Sequence, residues 1–266
     1  MPTVQDVCGF LMELAPLRLS EEWDNVGLLV GRSSREVTDL MTCLTLTPDV
    51  VRDAVEKHVG MIVSHHPVMF RKTQRITEDS VEGRMLLDLI EAGIAIYSPH
   101  TAFDSASAGI NQQLSERMGL TGIQPFRPSE DTPSVGGGRF GRIPTPVSLA
   151  AFLETVRIVT SADYIEYVGE PDGVVSQVGV GCGSAGEFLR DAIRERCDTF
   201  VTGETRFHTA LEARNAGVNL ILLGHYSSER PAVEWLADEI GRQFPLIRAV
   251  ASTIESDPLK LHGRSQ

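Results

Sequence analysis

The sequence predicts an α/β protein built from two similar α/β lobes by internal duplication. Three observations predict it. Apolar runs of strand length alternate with stretches of helical periodicity, the pattern of parallel βαβ units. The order strand, helix, strand, helix, strand, polar cluster, helix occurs twice. The copies also match locally. Glu91-Ala92-Gly93-Ile94 answers to Asn215-Ala216-Gly217-Val218, and each copy carries a histidine four residues before an acid, His100 with Asp104 and His225 with Glu229. A site between the halves is the simplest account of such a repeat. The first lobe is placed at 1–123 and the second at 124–266, within one compact unit.

The elements follow in order. Thr3 and Asp6 form a capping box with Asp in the place of Glu or Gln, and Val4, Val7, Leu11 and Leu14 recur at helical spacing up to Pro16. Residues 21–31 read as a turn entering a strand, with Glu21 and Glu22 on a solvated face and Trp23 as a packing anchor rather than a ligand platform. A strand is expected over 40–46. Thr47-Pro48 then supplies an N-cap and a first-turn proline for a helix over 49–57. Strands at 61–64 and 94–97 flank a helix over 82–91, and a further helix runs from 109 to 118.

The stretch 121–138, rich in Pro, Ser, Thr and Gly, reads as a connection, and 139–143 as an edge strand. Ser148 caps a helix to about 157, and 164–168 forms a strand before the Glu170-Pro171-Asp172-Gly173 turn. The second copy then offers strands at 178–181, 199–202 and 218–223 and helices at 187–196, 211–215 and 231–240.

Composition narrows the functional classes. A formal charge of -12 argues against a general nucleic-acid binder, which needs a basic surface. Cys8, Cys43, Cys182 and Cys197 form no C-x-x-C and suit a reducing, cytoplasmic setting. No apolar run reaches transmembrane length and no secretory signal is evident.

The chemistry gathers at strand ends. Ser64-His65-His66-Pro67 ends the apolar run Met61-Ile62-Val63, and ligands in open α/β sheets bind beyond strand C-termini. His100 with Asp104 and His225 with Glu229 follow equivalent strands. Imidazole with carboxylate suits zinc, manganese, iron, cobalt or nickel. These residues exceed what one tetrahedral ion needs. Two divalent ions roughly 3.5–4 Å apart, bridged by a carboxylate, would use them, and hydrolysis is the natural reaction class. Binding without turnover fits the same ligands. Adjacent histidines in extended backbone point to opposite sides, so His65 and His66 suit one ion each.

Glu204 and His208, also four apart, follow the 199–202 strand. They suit an acid/base pair, an orienting pair behind the ligands, or a hydrogen-bonded pair at the cleft mouth. Gly181-Cys182-Gly183-Ser184-Ala185-Gly186 fits G-x-G-x-x-G, with Glu204 about 20 residues on. Too little chain follows for a dinucleotide domain, so a tight turn, able to cradle a phosphate, is the better account than an oxidoreductase.

With these motifs in order (EEWDNVGLLVG, SHHPVMF, HTAFD, GCGSAGEFL, TGETRFH and GHYSSE) the chain resembles the NIF-three-like family, also called GTP cyclohydrolase I type 2 homologues, from about 4 to 258. The resemblance implies a two-lobed α/β fold with a dinuclear metal site in the cleft and a toroidal hexamer built from dimers. It implies His65, His66, Asp104, His225 and Glu229 as ligands, Glu229 as the bridge, and His100 behind them. It also implies a metal-dependent hydrolase acting on a small, nucleotide-like substrate, or alternatively a non-catalytic metal-handling or regulatory adaptor. Thr45 stands where many relatives carry Asp.

Overall fold

Two main sheets, each covered by helices on both faces, build the molecule. A computed structural model of the chain describes residues 1–71 and 73–262. Helix α1 (Val4–Leu14) leads into β1 (Gly27–Val30), β2 (Asp39–Cys43), α2 (Pro48–Glu56), β3 (Met61–Ser64), α3 (Val81–Ala92), β4 (Ala95–Ser98), α4 (His100–Ser105) and α5 (Ile110–Arg117). Then come β5 (Thr121–Gln124), β6 (Arg127–Pro128), β7 (Gly136–Gly137), β8 (Arg139–Ser148), α6 (Leu149–Thr160), β9 (Glu166–Val168) and β10 (Val174–Gly181). The chain continues through α7 (Leu189–Arg194), β11 (Thr199–Thr202), α8 (Phe207–Ala216), β12 (Asn219–Leu222), α9 (His225–Gln243) and β13 (Arg248–Ala251). Among the described residues no helix is long and apolar enough to cross a membrane.

The first sheet runs β1-β4-β3-β2-β13, with β1 antiparallel and the rest parallel. Period-two alternation divides its side chains between two cores. Leu40, Met61 and Val63 face α1 and α9, while Met41, Ile62 and Ile96 face α2 and α3. The second sheet runs β5-β8-β10-β11-β12-β9, with β10, β11 and β12 parallel. Val201 and Ile221 face α5 and α6, and Phe200 and Leu220 face α7 and α8. Full burial of each such side chain favours the fold by about 1.5–3 kcal/mol. The expected caps form: Thr3 with Asp6 at α1, Thr47 with Pro48 at α2, and Ser148 at α6.

Several elements differ from the expectation. The connection at 121–138 contains β5, and β6 paired with β7. The edge strand expected at 139–143 is the longer β8, hydrogen-bonded on both sides by β5 and β10. Its Pro144 and Pro146 lie past the part that β5 pairs, where no ladder donor is required of them. The helix expected at 187–196 is a 3-10 turn over Gly186–Phe188 followed by the short α7. Helix α8 starts at Phe207, ahead of the expected 211.

Helix α9 starts at His225 rather than near Pro231. Its first turn is fastened by Ser228 N–H to Gly224 O at 3.1 Å and Ser228 Oγ–H to His225 O at 2.7 Å. Pro231 lies in the second turn, and the helix runs through it rather than starting at it. Strand β13 has no counterpart in the expected elements and adds to the first sheet beside β2.

One buried cation joins the chain's halves. Arg139, with 0% exposure, donates to the carbonyls of Gly136, Gly138, Ser105 and Ala106 and to Gln112 Oε1. It fixes the segment after α4 against the start of β8.

Candidate metal centre

The C-terminal ends of β3, β4, β11 and β12 deliver His65 and His66, His100 and Asp104, Glu204, and His225 and Glu229 to one cleft. Local bonds set the positions. His65 N–H donates to Cys43 O and His66 N–H to Leu44 O, both at 2.9 Å, which carries the ladder past the end of β3. Ser98 Oγ–H donates to His65 O at 2.7 Å and Ser64 Oγ–H to His66 O at 2.8 Å. His225 and Glu229, four apart on the first turns of α9, share one face of the helix.

Glu229 Oε2 is the centre of the cluster. It lies 3.0 Å from His66 Nε2, 3.1 Å from His225 Nε2 and 3.9 Å from His65 Nε2. The Nε2 atoms of His66 and His225 are 3.3 Å apart. These edges match one face of a tetrahedron with bonds of roughly 2.0–2.1 Å, whose edge is about 3.3 Å. His66, His225 and Glu229 could therefore hold one ion. His65 is enclosed at 2% exposure, and neither ring nitrogen has a hydrogen-bond partner among the described residues. A buried imidazole without partners is costly unless something else satisfies it. Its Nε2 is 3.6 Å from Asp104 Oδ1, so His65, Asp104 and Glu229 could hold a second.

The electrostatics fit a cation. Burial, opposed by Glu229, pushes His65 well below the usual imidazole value and keeps it neutral. Burial and the charge of Glu229 raise Asp104 to about 7. Burial opposes the charge on Glu229 too, but hydrogen bonds from His225 and His66 outweigh it and hold the carboxyl well below its ordinary range. Burial likewise opposes the charge on His225, and its bonds to Glu229 and Glu204 prevail, raising it to about 9. Without a metal the cluster is thus held together by protons, and an ion would displace them.

The surrounding residues orient the cluster. Glu204 Oε1 accepts from His225 Nδ1 at 3.1 Å. Thr45 Oγ1 stands 2.7 Å from His66 Nδ1. Both contacts leave Nε2 turned inward. Cys182 Sγ–H donates to Asp104 Oδ1 at 3.3 Å. His208 is not brought to the cluster: it is exposed on the first turn of α8, beside the Phe207 ring. The glycine-rich turn serves the cluster directly. Gly183, at φ +61°, passes so close to Glu229 that a Cβ there would collide with Oε1. Its N–H is taken by Ser228 Oγ at 2.9 Å.

Two residues beside the cluster have roles that the sequence expectation does not contain. Asp24, outside the Glu21-Glu22 pair expected on a solvated face, has its side chain fully enclosed. It accepts from His100 Nδ1 at 2.8 Å and from Thr101 Oγ1 at 2.5 Å. His100, at φ +26°, has its ring beside those of His65 and His66, with one ligand atom of each within 4.8 Å of the others. Trp23, expected as an anchor, is exposed on the cleft rim; Asp24 and Asn25 do the anchoring. No local signal marks Asp24, whose partners lie 76 and 77 positions away.

A family model described as Duf34/NIF3 (NGG1p interacting factor 3) matches residues 2–258. A Clostridium acetobutylicum protein named GTP cyclohydrolase 1 type 2 homolog is 31% identical over 231 residues, covering 86% of this chain and 86% of its own. NIF3-like protein 1 of Drosophila melanogaster is 33% identical over 225 residues, covering 83% of this chain and 75% of its own. The crystal structure of Staphylococcus aureus protein SA1388 superposes with a TM-score of 0.89 at 26% identity, covering 98% of this chain and 99% of that one.

Proposed function

Because the chain belongs to the Duf34/NIF3 family, we propose that it holds two divalent metal ions in this cleft and hydrolyses a small, nucleotide-like substrate. The observation that carries this is the approach of His66, His225 and Glu229 to within 3.0–3.3 Å of one another beside the buried His65, whose ring nitrogens have no hydrogen-bond partner among the described residues. The name GTP cyclohydrolase 1 type 2 homolog, borne by relatives, agrees with a nucleotide-like substrate. His65 and Asp104 would hold one ion and His66 and His225 the other, with Glu229 as a ligand common to both. When bound, the ions supply Lewis acidity toward a carbonyl or phosphoryl oxygen.

The chain's own residues do the rest. Glu204 accepts from His225 Nδ1 and Thr45 engages His66 Nδ1, so both rings present Nε2 to the cluster. Asp24 holds the proton on His100 Nδ1, which leaves Nε2 free to take or give a proton in the cleft. Glu204 is a positioning residue in this scheme, and His208 has no part in it. The two sheets are read as duplicated lobes, with β13 crossing back to the first. The assembly is a toroidal hexamer in the cytoplasm.

Elemental analysis of the purified protein and of Glu229→Gln tests the proposal, together with hydrolysis assays on GTP, phosphoesters and amides in each divalent metal. Two ions per chain, lost in the variant along with turnover, are expected. An absence of bound metal refutes it. Stoichiometric metal without turnover on any substrate moves the protein to the metal-handling role.

A further inference from the structure

The metal cluster leaves unused an aromatic corner on the rim of the same cleft. Trp23 and Phe70 are 59% and 56% exposed, with ring centroids 5.6 Å apart and planes at 62°. His100 completes the corner, 6.0 Å from Trp23 at 74° and 6.1 Å from Phe70 at 78°. All three rings line one cavity of about 460 Å³ with His66, Asp104 and Glu229. That volume lies in the range of roughly 300–1,000 Å³ usual for small-molecule sites.

The backbone that presents these rings is fastened. Glu21 N–H donates to Thr101 Oγ1 at 3.0 Å, Asp24 is tied to His100 and Thr101, and Asn25 Nδ2–H donates to Met69 O at 2.8 Å. The last bond joins the loop of Trp23 to the loop of Phe70. Two large apolar side chains on a fixed backbone forgo burial, which favours the fold little and a ligand a good deal. Phe188, Ala185, Gly137 and Gly138 also line this cavity.

Resting on the metal-site function proposed above, we infer that Trp23 and Phe70 are the wall on which a planar heteroaromatic ring of the substrate packs. The rest of that molecule reaches toward His65, His66 and Glu229. An aromatic corner also suits a quaternary ammonium group. Divalent ions in the same cavity would repel one, so the neutral or anionic ring is the occupant.

The chain has two tryptophans, so in Trp235→Phe the emission comes from Trp23 alone. Inosine, uridine and nicotinamide are titrated against it, with ribose and choline as controls. Saturable quenching by at least one planar ring, and by neither control, is expected. Because Trp235 stacks on Phe103 at 6.1 Å, the same probes are also titrated calorimetrically against wild type, Trp23→Ala and Phe70→Ala, which leave Trp235 in place. About tenfold weaker binding is expected in each variant, with wild-type metal content. No saturable binding by any ring, binding of choline instead, or equal affinity in wild type and both variants overturns the inference. So does Trp23 emission that is blue-shifted and unresponsive, as a covering second copy would make it. Metal content is measured on the same samples, so loss of the metal reading shows separately from loss of ring binding.

Discussion

Replacing Asp24 by Asn removes one charge and no volume from the enclosed loop behind His100. Burial opposes ionisation of Asp24, but hydrogen bonds from His100 and Thr101 outweigh it and hold the carboxyl at about 2 against an ordinary 3.8. The difference corresponds to roughly 2 kcal/mol of stability at neutral pH, on a side chain that has 0% exposure. Asparagine also turns an amide N–H₂ toward Thr101, whose hydroxyl can rotate away but whose N–H, 3.2 Å from Asp24 Oδ2, cannot. The variant is expected to lose about 2–3 kcal/mol at pH 7. The folded value is the lower one, so this stability is present above pH 3.8 and is lost as the pH falls through 2. At pH 3 about half of the charge-dependent part is gone. Urea unfolding of metal-free wild type and Asp24→Asn at pH 7 and pH 3 measures both quantities. Wild-type stability of the variant at pH 7, or a gap that does not narrow at pH 3, refutes the assignment of Asp24 as an ionised strut.

Other substitutions probe the cluster and its frame. Thr45→Val removes the partner of His66 Nδ1 and should weaken metal binding about 10–100-fold, read by competition with a chromophoric chelator. Gly183→Ala drives a Cβ into Glu229 and should abolish metal binding. Gly119→Ala, at φ +78° with open space around it, imposes similar backbone strain and should keep the metal, so equal metal content in the two would count against the steric account. Arg139→Met strands four buried carbonyls and should cost about 3–5 kcal/mol in denaturant unfolding, far more than a surface arginine.

The strands and ligands were legible for physical reasons. Met61-Ile62-Val63 and Val218 to Leu223 are apolar enough to declare buried strands, and the polar residues beyond them fall at the strand ends by geometry. What escaped was written in weak or distant signals. Strands β6 and β7 are two residues each, built of Arg-Pro and Gly-Gly, which local propensity assigns to turns. Strand β13 pairs with β2 across more than 200 positions, and Arg248-Ala249-Val250-Ala251 alone does not announce it. Pro231 looked like a helix start, whereas the helix begins six residues earlier on hydrogen bonds that Ser228 supplies. Trp23 loses its expected role as a packing anchor and faces water, while Asp24 beside it, for which nothing is expected, is enclosed. In each case tertiary contacts that no window of sequence contains decided the outcome.

Helix α9 explains how residues so far apart in the chain keep ligand-like spacing. Its first turns carry His225 and Glu229, while Ala232, Leu236 and Ile240 further along are packed into the first sheet's core with Leu40, Met61 and Val63. Thr42 Oγ1–H on β2 donates to Val233 O at 2.8 Å, and β13, which follows the helix, lies beside β2. His65 and His66 extend from β3 of that same sheet, paired directly with β2. Glu229 and the three imidazoles around its Oε2 are thus carried by elements that pack on the first sheet. The second sheet contributes Gly183 and Glu204, which buttress Glu229 and His225 from outside. A movement of one sheet relative to the other would act first on the start of α9, where Gly224 N–H is held by Gly203 O, and least on its later turns, which pack on the first sheet. Slow amide exchange in α9 should therefore track β2 and β3 rather than β11 and β12 when the metal is removed, and the reverse pattern would place the ligand-bearing helix in the other core.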